Sequence, residues 1–414
     1  MDFFKKKQSN IIQQIDNTLL FLIELTFLND LKLNDMLNVR LSCKRFNNFF
    51  KNEWCKINVL SLKKNIKKKY ISNFIYSTKL NISMCNNLSD VNFSKFNRLQ
   101  NISFHGCINL KDVSLFYLKN IKIINLSYCK YITDKGLSYI IKNVVEIDLT
   151  NCTAINGDSF YLFTKLMNIN LSNCYNIKEQ NIGYLSGVKK IDLSYCKFIN
   201  HKTLSCFINL DTINLTHCNL ITDQELSYLK NVKTINLSYC KEITDIGLSY
   251  LENVKKIKLS NCKKITKIGI QKLQKLKYLI FHNYDLQYFE IFSSLKSLDL
   301  KYCSTIRDIH FVYFKNIEII GLSCCQYITG EGFINLNKVK QLDISECSLI
   351  NESHIFYLTN ITLLNISKCK NIPHLYNSPI YELKKLETLI IDSNYSLNEG
   401  IKYLRSKGIT IINI

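Results

Sequence analysis

The sequence predicts an α/β solenoid: a horseshoe of about 15 coils with a parallel sheet inside and helices outside, preceded by a small N-terminal helical bundle. Three observations carry that expectation. Cysteines recur at Cys85, Cys107, Cys129, Cys152, Cys174, Cys196, Cys218, Cys240 and Cys262, and again at Cys303, Cys325, Cys347 and Cys369. Every step within the two runs is 22 residues, except the 23 from Cys129 to Cys152. Around these slots, apolar residues follow a strand period and then a helix period. Residues 17–62 lack the beat and keep helical spacing only.

One unit, Val232 to Val254, shows how the period builds a coil. Ile235 and Leu237 flank Asn236, an alternation that turns both apolar side chains to one face of a strand. Cys240 follows as a small hydrophobe with a weak S–H donor. Ile243 turns the corner, and Thr244 and Asp245 offer side-chain oxygens to the free N–H groups of a helix start. Leu248 and Leu251 recur at helical spacing, and Val254 opens the next coil. A single coil cannot bury its apolar face, so stacking must close the core. A period of roughly 20–29 residues with leucine-type strand positions is that of a leucine-rich-repeat solenoid. Tyr284 and Asn394 keep the frame without cysteine, and Ile409–Ile414 supplies a last strand.

The text C-x-x-I-T-D-x-G-L stands at Cys129–Leu137 and Cys240–Leu248. It resembles the cysteine-containing subclass of leucine-rich repeats, and the resemblance covers 80–414. The slot cysteines are expected to be packing residues. No C-x-x-C pair or paired-histidine pattern accompanies them, so no metal site is expected.

Residues 17–62 read as two helices. Leu19, Leu22, Ile23, Phe27 and Leu28 share one face of the first. Met36, Leu37, Leu41 and Cys43–Phe46 belong to the second, with Asn34 or Asp35 as its cap. The stretch Leu37–Phe46, LNVRLSCKRF, resembles the F-box pattern hydrophobic-x-x-Val-Cys-Lys-x-Trp, and Asp35-Met36-Leu37 parallels its Asp-Leu-Leu. Trp54 and Ile57–Leu62 parallel the closing Leu-Trp and first repeat strand; Leu19-Leu20 stands where the family has Leu-Pro. The order of the two parts is similar to that of F-box/leucine-rich-repeat proteins.

That resemblance implies a non-catalytic substrate-recognition subunit of an SCF-type (cullin-RING) ubiquitin ligase, with no cofactor. Leu19, Leu20, Leu31, Leu37 and Leu41 would enter the groove of a Skp-type adaptor that links to a cullin scaffold. Cys43, Phe46 and Trp54 would hold the box together. The concave face would bind a protein substrate for ubiquitination and proteasomal degradation. The alternative is a protein-interaction scaffold without a ubiquitin role, in which 17–62 only caps the solenoid.

Residues 1–16 are read as a tail and 63–79 as a lysine-rich linking helix, with Ile66, Tyr70, Phe74 and Ile75 as its apolar stripe. No apolar run reaches the roughly 18 residues of a membrane span. The tail lacks a signal peptide's apolar stretch, and 17 cysteines suit a reducing compartment, so the cytoplasm or nucleus is expected. The net charge of +21 is spread through an Asn-, Lys-, Ile- and Tyr-rich chain. A nucleic-acid partner would need a continuous basic track with stacking aromatics and is disfavoured.

On the concave side the expected columns lie six, four, two and one residues before each slot. The column four before is mostly Asn or Asp and the column two before is mostly Ser or Thr, which points to hydrogen bonding between strands. Recognition is expected where columns break: Tyr128, Tyr195, His217, Tyr239 and Tyr302, with Glu346 in the same column. A second candidate is the lysine-rich stretch from Asn253 to Tyr284, nine lysines and no acid, beside the short 19-residue step from Tyr284 to Cys303. Lys256 and Lys258 should face the concavity there. An acidic or phosphorylated substrate segment would suit them; a plain solvated face is the alternative. None of the seven histidines sits in a zinc or nucleophile motif, and there is no phosphate-binding glycine loop.

Overall fold

The computed structural model describes residues 71–414 apart from 72–74, 76, 89–90, 198, 283–287, 373–377 and 394–398. The expected bundle at 17–62, with Leu19, Leu20, Leu31, Leu37 and Leu41, lies outside the described residues. So do most of the linking helix and the slots Tyr284 and Asn394.

Sixteen strands form one parallel sheet whose spatial order is the chain order, from β1 (Lys79–Asn81) to β16 (Thr410–Asn413). Pairing is strictly in register. Ile235 sits between Ile213 and Ile257, one coil away on either side. These middle residues are buried, as are Leu237, Leu248, Leu251 and Val254 of the same coil. Each fully buried Leu or Ile contributes roughly 1.5–3 kcal/mol. The core is therefore a ladder that runs the length of the solenoid, between the sheet and the outer turns.

The outer segments are less uniform than the sequence suggests. α-Helices occur at Asp134–Ser138, Glu179–Ile182, His201–Ser205, Asp223–Leu226, Asp245–Ser249, Lys267–Lys272 and Glu399–Ser406. Other coils use 3-10 turns, among them Asp112–Leu115, Asp308–Tyr313, Glu331–Asn335 and Glu352–Tyr357. A 22-residue coil leaves only one or two turns of chain for this segment, too few for an α-helix to gain from cooperativity.

Two inter-coil ties hold the stack. The slot thiols reach back one coil: Cys218 Sγ donates to the Leu193 carbonyl at 3.2 Å, Cys240 to Leu215 at 3.1 Å and Cys262 to Leu237 at 3.0 Å. Burial pushes these thiols up, Cys240 and Cys262 to about 12. The second tie is at the helix start. Thr244 does cap its own helix by accepting from Ile246 N–H. Its backbone N–H and hydroxyl also donate to Asp223 of the preceding coil, at 2.8 and 2.6 Å. The same pair recurs as Thr133 with Asp112 and Thr266 with Asp245. A methyl group at Gly247 would run into the Asp223 carboxylate, so the glycine of I-T-D-x-G is a close-approach site.

The shortened coil keeps the sheet intact. Leu279 of β10 (Tyr278–Ile280) pairs with Leu298 of β11 (Ser297–Asp299), 19 residues on. Large aromatics are buried around it: Phe281, Phe289, Phe292, Phe311 and Phe314. Phe289 stacks on His310 with centroids 4.1 Å apart.

Candidate functional site: the concave face

The concave face begins with the backbone. The residue before each slot is left-handed, with φ of 64° at Tyr128, 63° at Tyr195, 59° at His217, 64° at Tyr239 and 65° at Tyr302. Here the chain leaves the strand and drops into the core at the cysteine. Asn151, Asn173 and Asn261 hold the same conformation, as does Gly106, and these types tolerate it best. Tyrosine and histidine adopt it at a cost of about 1 kcal/mol or more.

The tyrosines are well exposed, 43% at Tyr128, 45% at Tyr195 and 44% at Tyr302. His217 stacks between Tyr195 and Tyr239, with centroids 4.6 and 4.1 Å away. Tyr128 stands apart and meets His105 edge-on at 5.4 Å. Tyr302 carries the Lys301 ammonium 4.9 Å from its ring centre. The five aromatic candidates are thus one three-ring stack and two separate rings.

The column two before each slot is largely covered, with Thr150, Thr216 and Lys301 half-buried. Ser127, Ser194, Ser238 and Ser345 are buried. They close a turn with the residue four before: Asp192 Oδ1 accepts from Ser194 N–H and hydroxyl at 2.9 and 2.6 Å, and Asp343 Oδ1 does the same with Ser345. Neighbouring coils are linked too, since Asn214 Nδ2 donates to Asp192 Oδ2 at 2.8 Å. The Asn/Asp and Ser/Thr columns are structural, as their uniformity suggests.

That ladder breaks at Ser103 near the start of the sheet, at Ile390 near its end, and at three coils between them. β9 (Lys256–Lys258) places Lys258 where an Asn is usual, β10 places Ile280 there, and β12 (Ile319–Gly321) places Gly321. A groove of about 290 Å³ lies over these strands, extending across β11 and β13 (Gln341–Asp343) to Leu363 of β14 (Leu363–Asn365). Lys256 and Lys258 flank buried Ile257 and so lie on the side of the sheet away from the core. Neither ammonium has a carboxylate partner among the described residues. Tyr278 on the next strand and Ile319 three strands on expose apolar surface, 42% and 40%.

His282 takes a serine's place in this stretch. Its Nδ1 is 3.1 Å from Ser260 Oγ, and its Nε2 is 3.3 Å from Asp299 Oδ1, close but out of line for a hydrogen bond. Asp299 also accepts from Lys301 N–H at 3.1 Å. Burial opposes its charge, but His282 and that N–H outweigh it and hold the carboxyl below the usual carboxylate range.

The lysine-rich stretch is not one patch. Lys264 pairs with Glu242 at 2.6 Å, Lys275 donates to Asn253 Oδ1 at 2.6 Å, and Lys267 sits 3.9 Å from the Tyr288 ring centre. Lys256 and Lys258 are the members that reach the sheet. Among the described residues, no group of His, Cys, Asp or Glu side chains forms a metal site, and no helix is long and apolar enough to cross a membrane.

A family model described as Leucine Rich repeat matches residues 117–140 and 228–251. No curated protein matches the chain significantly. Among solved structures, a chain of the TLR13–ssRNA13 complex superposes with a TM-score of 0.57 at 18% identity, covering 82% of this chain and 56% of that one. The present chain therefore spans little more than half the length of that relative. A chain of the Rad7–Elc1 complex in yeast gives 0.51 at 16% identity, covering 70% of this chain and 86% of that one. The fold is that of a leucine-rich-repeat solenoid, the architecture of a protein-interaction scaffold.

Proposed function

We propose that this solenoid is the substrate-recognition subunit of an SCF-type ubiquitin ligase. The observation that carries the reading is a division of labour along the chain. Residues 80–414 form a repeat scaffold whose concave face carries an aromatic stack and a groove. Residues 17–62, outside that scaffold, carry the F-box resemblance. The Rad7–Elc1 likeness supports it to the extent that a solenoid of similar fold is found in a two-protein complex.

In this reading Leu19, Leu20, Leu31, Leu37 and Leu41 dock a Skp-type adaptor that connects to a cullin. The concave face holds a protein substrate, with Tyr128, Tyr195, His217, Tyr239 and Tyr302 as contacts along one rim, Lys256 in the groove and Lys258 on the same strand beside it. The protein performs no chemistry. It raises the effective concentration of substrate lysines beside a ubiquitin-charged enzyme. It works in the cytoplasm or nucleus.

A scaffold without a ubiquitin role is the second reading, favoured by Leu19-Leu20 in place of Leu-Pro. Co-purification with the Skp-type adaptor of the same organism separates the two. The ligase reading expects a one-to-one complex that a Leu37→Asp/Leu41→Asp variant loses while its solenoid stays folded. A well-folded wild-type chain that captures no adaptor would leave the plain scaffold.

A further inference from the structure

We propose that the groove over β9–β14 docks an extended peptide carrying an acidic and a basic side chain on either side of an apolar one. That this peptide belongs to a ligase substrate rests on the reading above; the site itself rests on the order of chemistry along the sheet.

Elsewhere on the concave face, apart from Ser103 and Ile390, the row four before the slot is filled by Asn or Asp, and Asp192 and Asn214 show how their oxygens are taken by Ser or Thr of the same coil. Such a row is satisfied internally and offers little to a partner. Here the row reads Lys258 at the edge of the groove, then Ile280, Asp299, Gly321 and Asp343 within it. The parallel row two residues earlier begins with Lys256 and Tyr278 and continues through Ile319. The two lysines have no carboxylate partner among the described residues, Tyr278 stands exposed on the next strand, and Ile319 stands exposed three strands on.

Gly321 supplies the third component. It leaves a notch between the carboxylates of β11 and β13, and a Cβ there would lie only 2.8 Å from Asp299 Oδ1. The Asp299 carboxylate therefore leans over space that any other residue would occupy. Asp343 spends Oδ1 on Ser345, and its Oδ2 has no hydrogen-bond partner among the described residues. A lysine or arginine entering the notch meets both carboxylates.

Charge order along the curve decides what fits. The two ammonium groups attract an acid, but the carboxylates two and four strands further on repel a run of acids. A uniformly acidic or multiply phosphorylated segment is therefore a poor match, and a segment of mixed sign is a good one. Strands lie roughly 4.8 Å apart, so β9 and the notch on β12 are about 14 Å apart, or about four residues of extended chain. Tyr278, Ile280 and Ile319 line the floor between them for an apolar side chain. The charged contacts are solvent-accessible and should weaken with salt.

The test is selection of phage-displayed random peptides on the full chain. Wild type should enrich peptides with an acid and a base flanking an apolar residue. Lys256→Glu/Lys258→Glu should abolish the demand for the acid. Asp343→Asn keeps the Ser345 acceptor, removes the charge, and should abolish the demand for the base. Enrichment of uniformly acidic peptides, identical enrichment on wild type and variants, or none on wild type would each overturn the proposal. Melting temperatures verify that the variants fold. Loss of peptide selectivity with adaptor capture intact overturns the groove alone; absent adaptor capture with selectivity intact overturns the ligase reading alone.

Discussion

The imidazole of His217 lies 12° from parallel to the Tyr239 ring at 4.1 Å, and both residues hold left-handed backbone. Neighbouring coils solve the same backbone problem with Asn151, Asn173 and Asn261. The stack is thus kept against local backbone preference, as strained functional positions are.

The first prediction follows from that conflict. Replacing Tyr195, His217 and Tyr239 by Asn removes stacking of roughly 0.5–1.5 kcal/mol per ring pair. It also relieves about 1 kcal/mol of left-handed strain per residue. The two nearly cancel, so the triple variant should melt close to wild type while losing substrate binding. A large drop in melting temperature would mean that the rings are structural.

Gly247→Ala should be costly. Its methyl group meets the Asp223 carboxylate that holds Thr244, so packing strain of about 1–3 kcal/mol is expected. Gly183 is the control: nothing approaches its Cβ position and its φ is −56°. Gly183→Ala should be neutral or stabilising by up to about 1 kcal/mol. Urea midpoints compare the two.

Alkaline pH should unfold the solenoid. Burial pushes the Cys174, Cys240, Cys262, Cys347 and Cys369 thiols from 9.0 to about 12. Folded thiols keep their protons where unfolded ones lose them, so the folded state binds more protons above about pH 9. Their contribution is complete below about pH 9 and is lost as pH rises from there towards about 12. Melting temperature should fall steeply over that window, and less steeply in a Cys240→Ala/Cys262→Ala variant once compared with its own value at neutral pH.

Thiol labelling should be selective. Cys324 is half-buried and lies outside the slot column, with Sγ 3.4 Å from Glu346 Oε2. Among the described thiols it should label first under native conditions, ahead of the slot cysteines. Burial and Glu346 both push its pKa up, while Ser323 opposes them. Glu346→Gln should therefore speed its alkylation, read by peptide mass spectrometry.

Much of this architecture was legible because stacking repeats its demands. Ile235 and Leu237 face inward as the alternation requires, and Cys240 packs as a small hydrophobe. The fifteen slots plus a last strand match the sixteen strands of the sheet. Thr244 was readable as a cap, but its bond to Asp223 depends on how coils superpose, which period alone does not give. The burial of the serines two before the slot comes from the turn they close with the Asn or Asp four before it, which alternation alone does not give. Asn151, Asn173, Asn261 and Gly106 in the column of Tyr128 and Tyr195 were the available signal for that turn. The groove is not legible in the sequence because Gly321 acts by an absent side chain and Asp343 differs from its ladder neighbours only in what lies beside it.

The most direct test of the account is quantitative affinity capture of the full chain from its own cells, comparing wild type, Leu37→Asp/Leu41→Asp and His217→Asn/Tyr239→Asn. The account predicts that the Skp-type adaptor is lost only from the first variant. Substrates should accumulate on that variant and be lost only from the second. An adaptor absent from wild type, or one set of partners lost from both variants together, would contradict it.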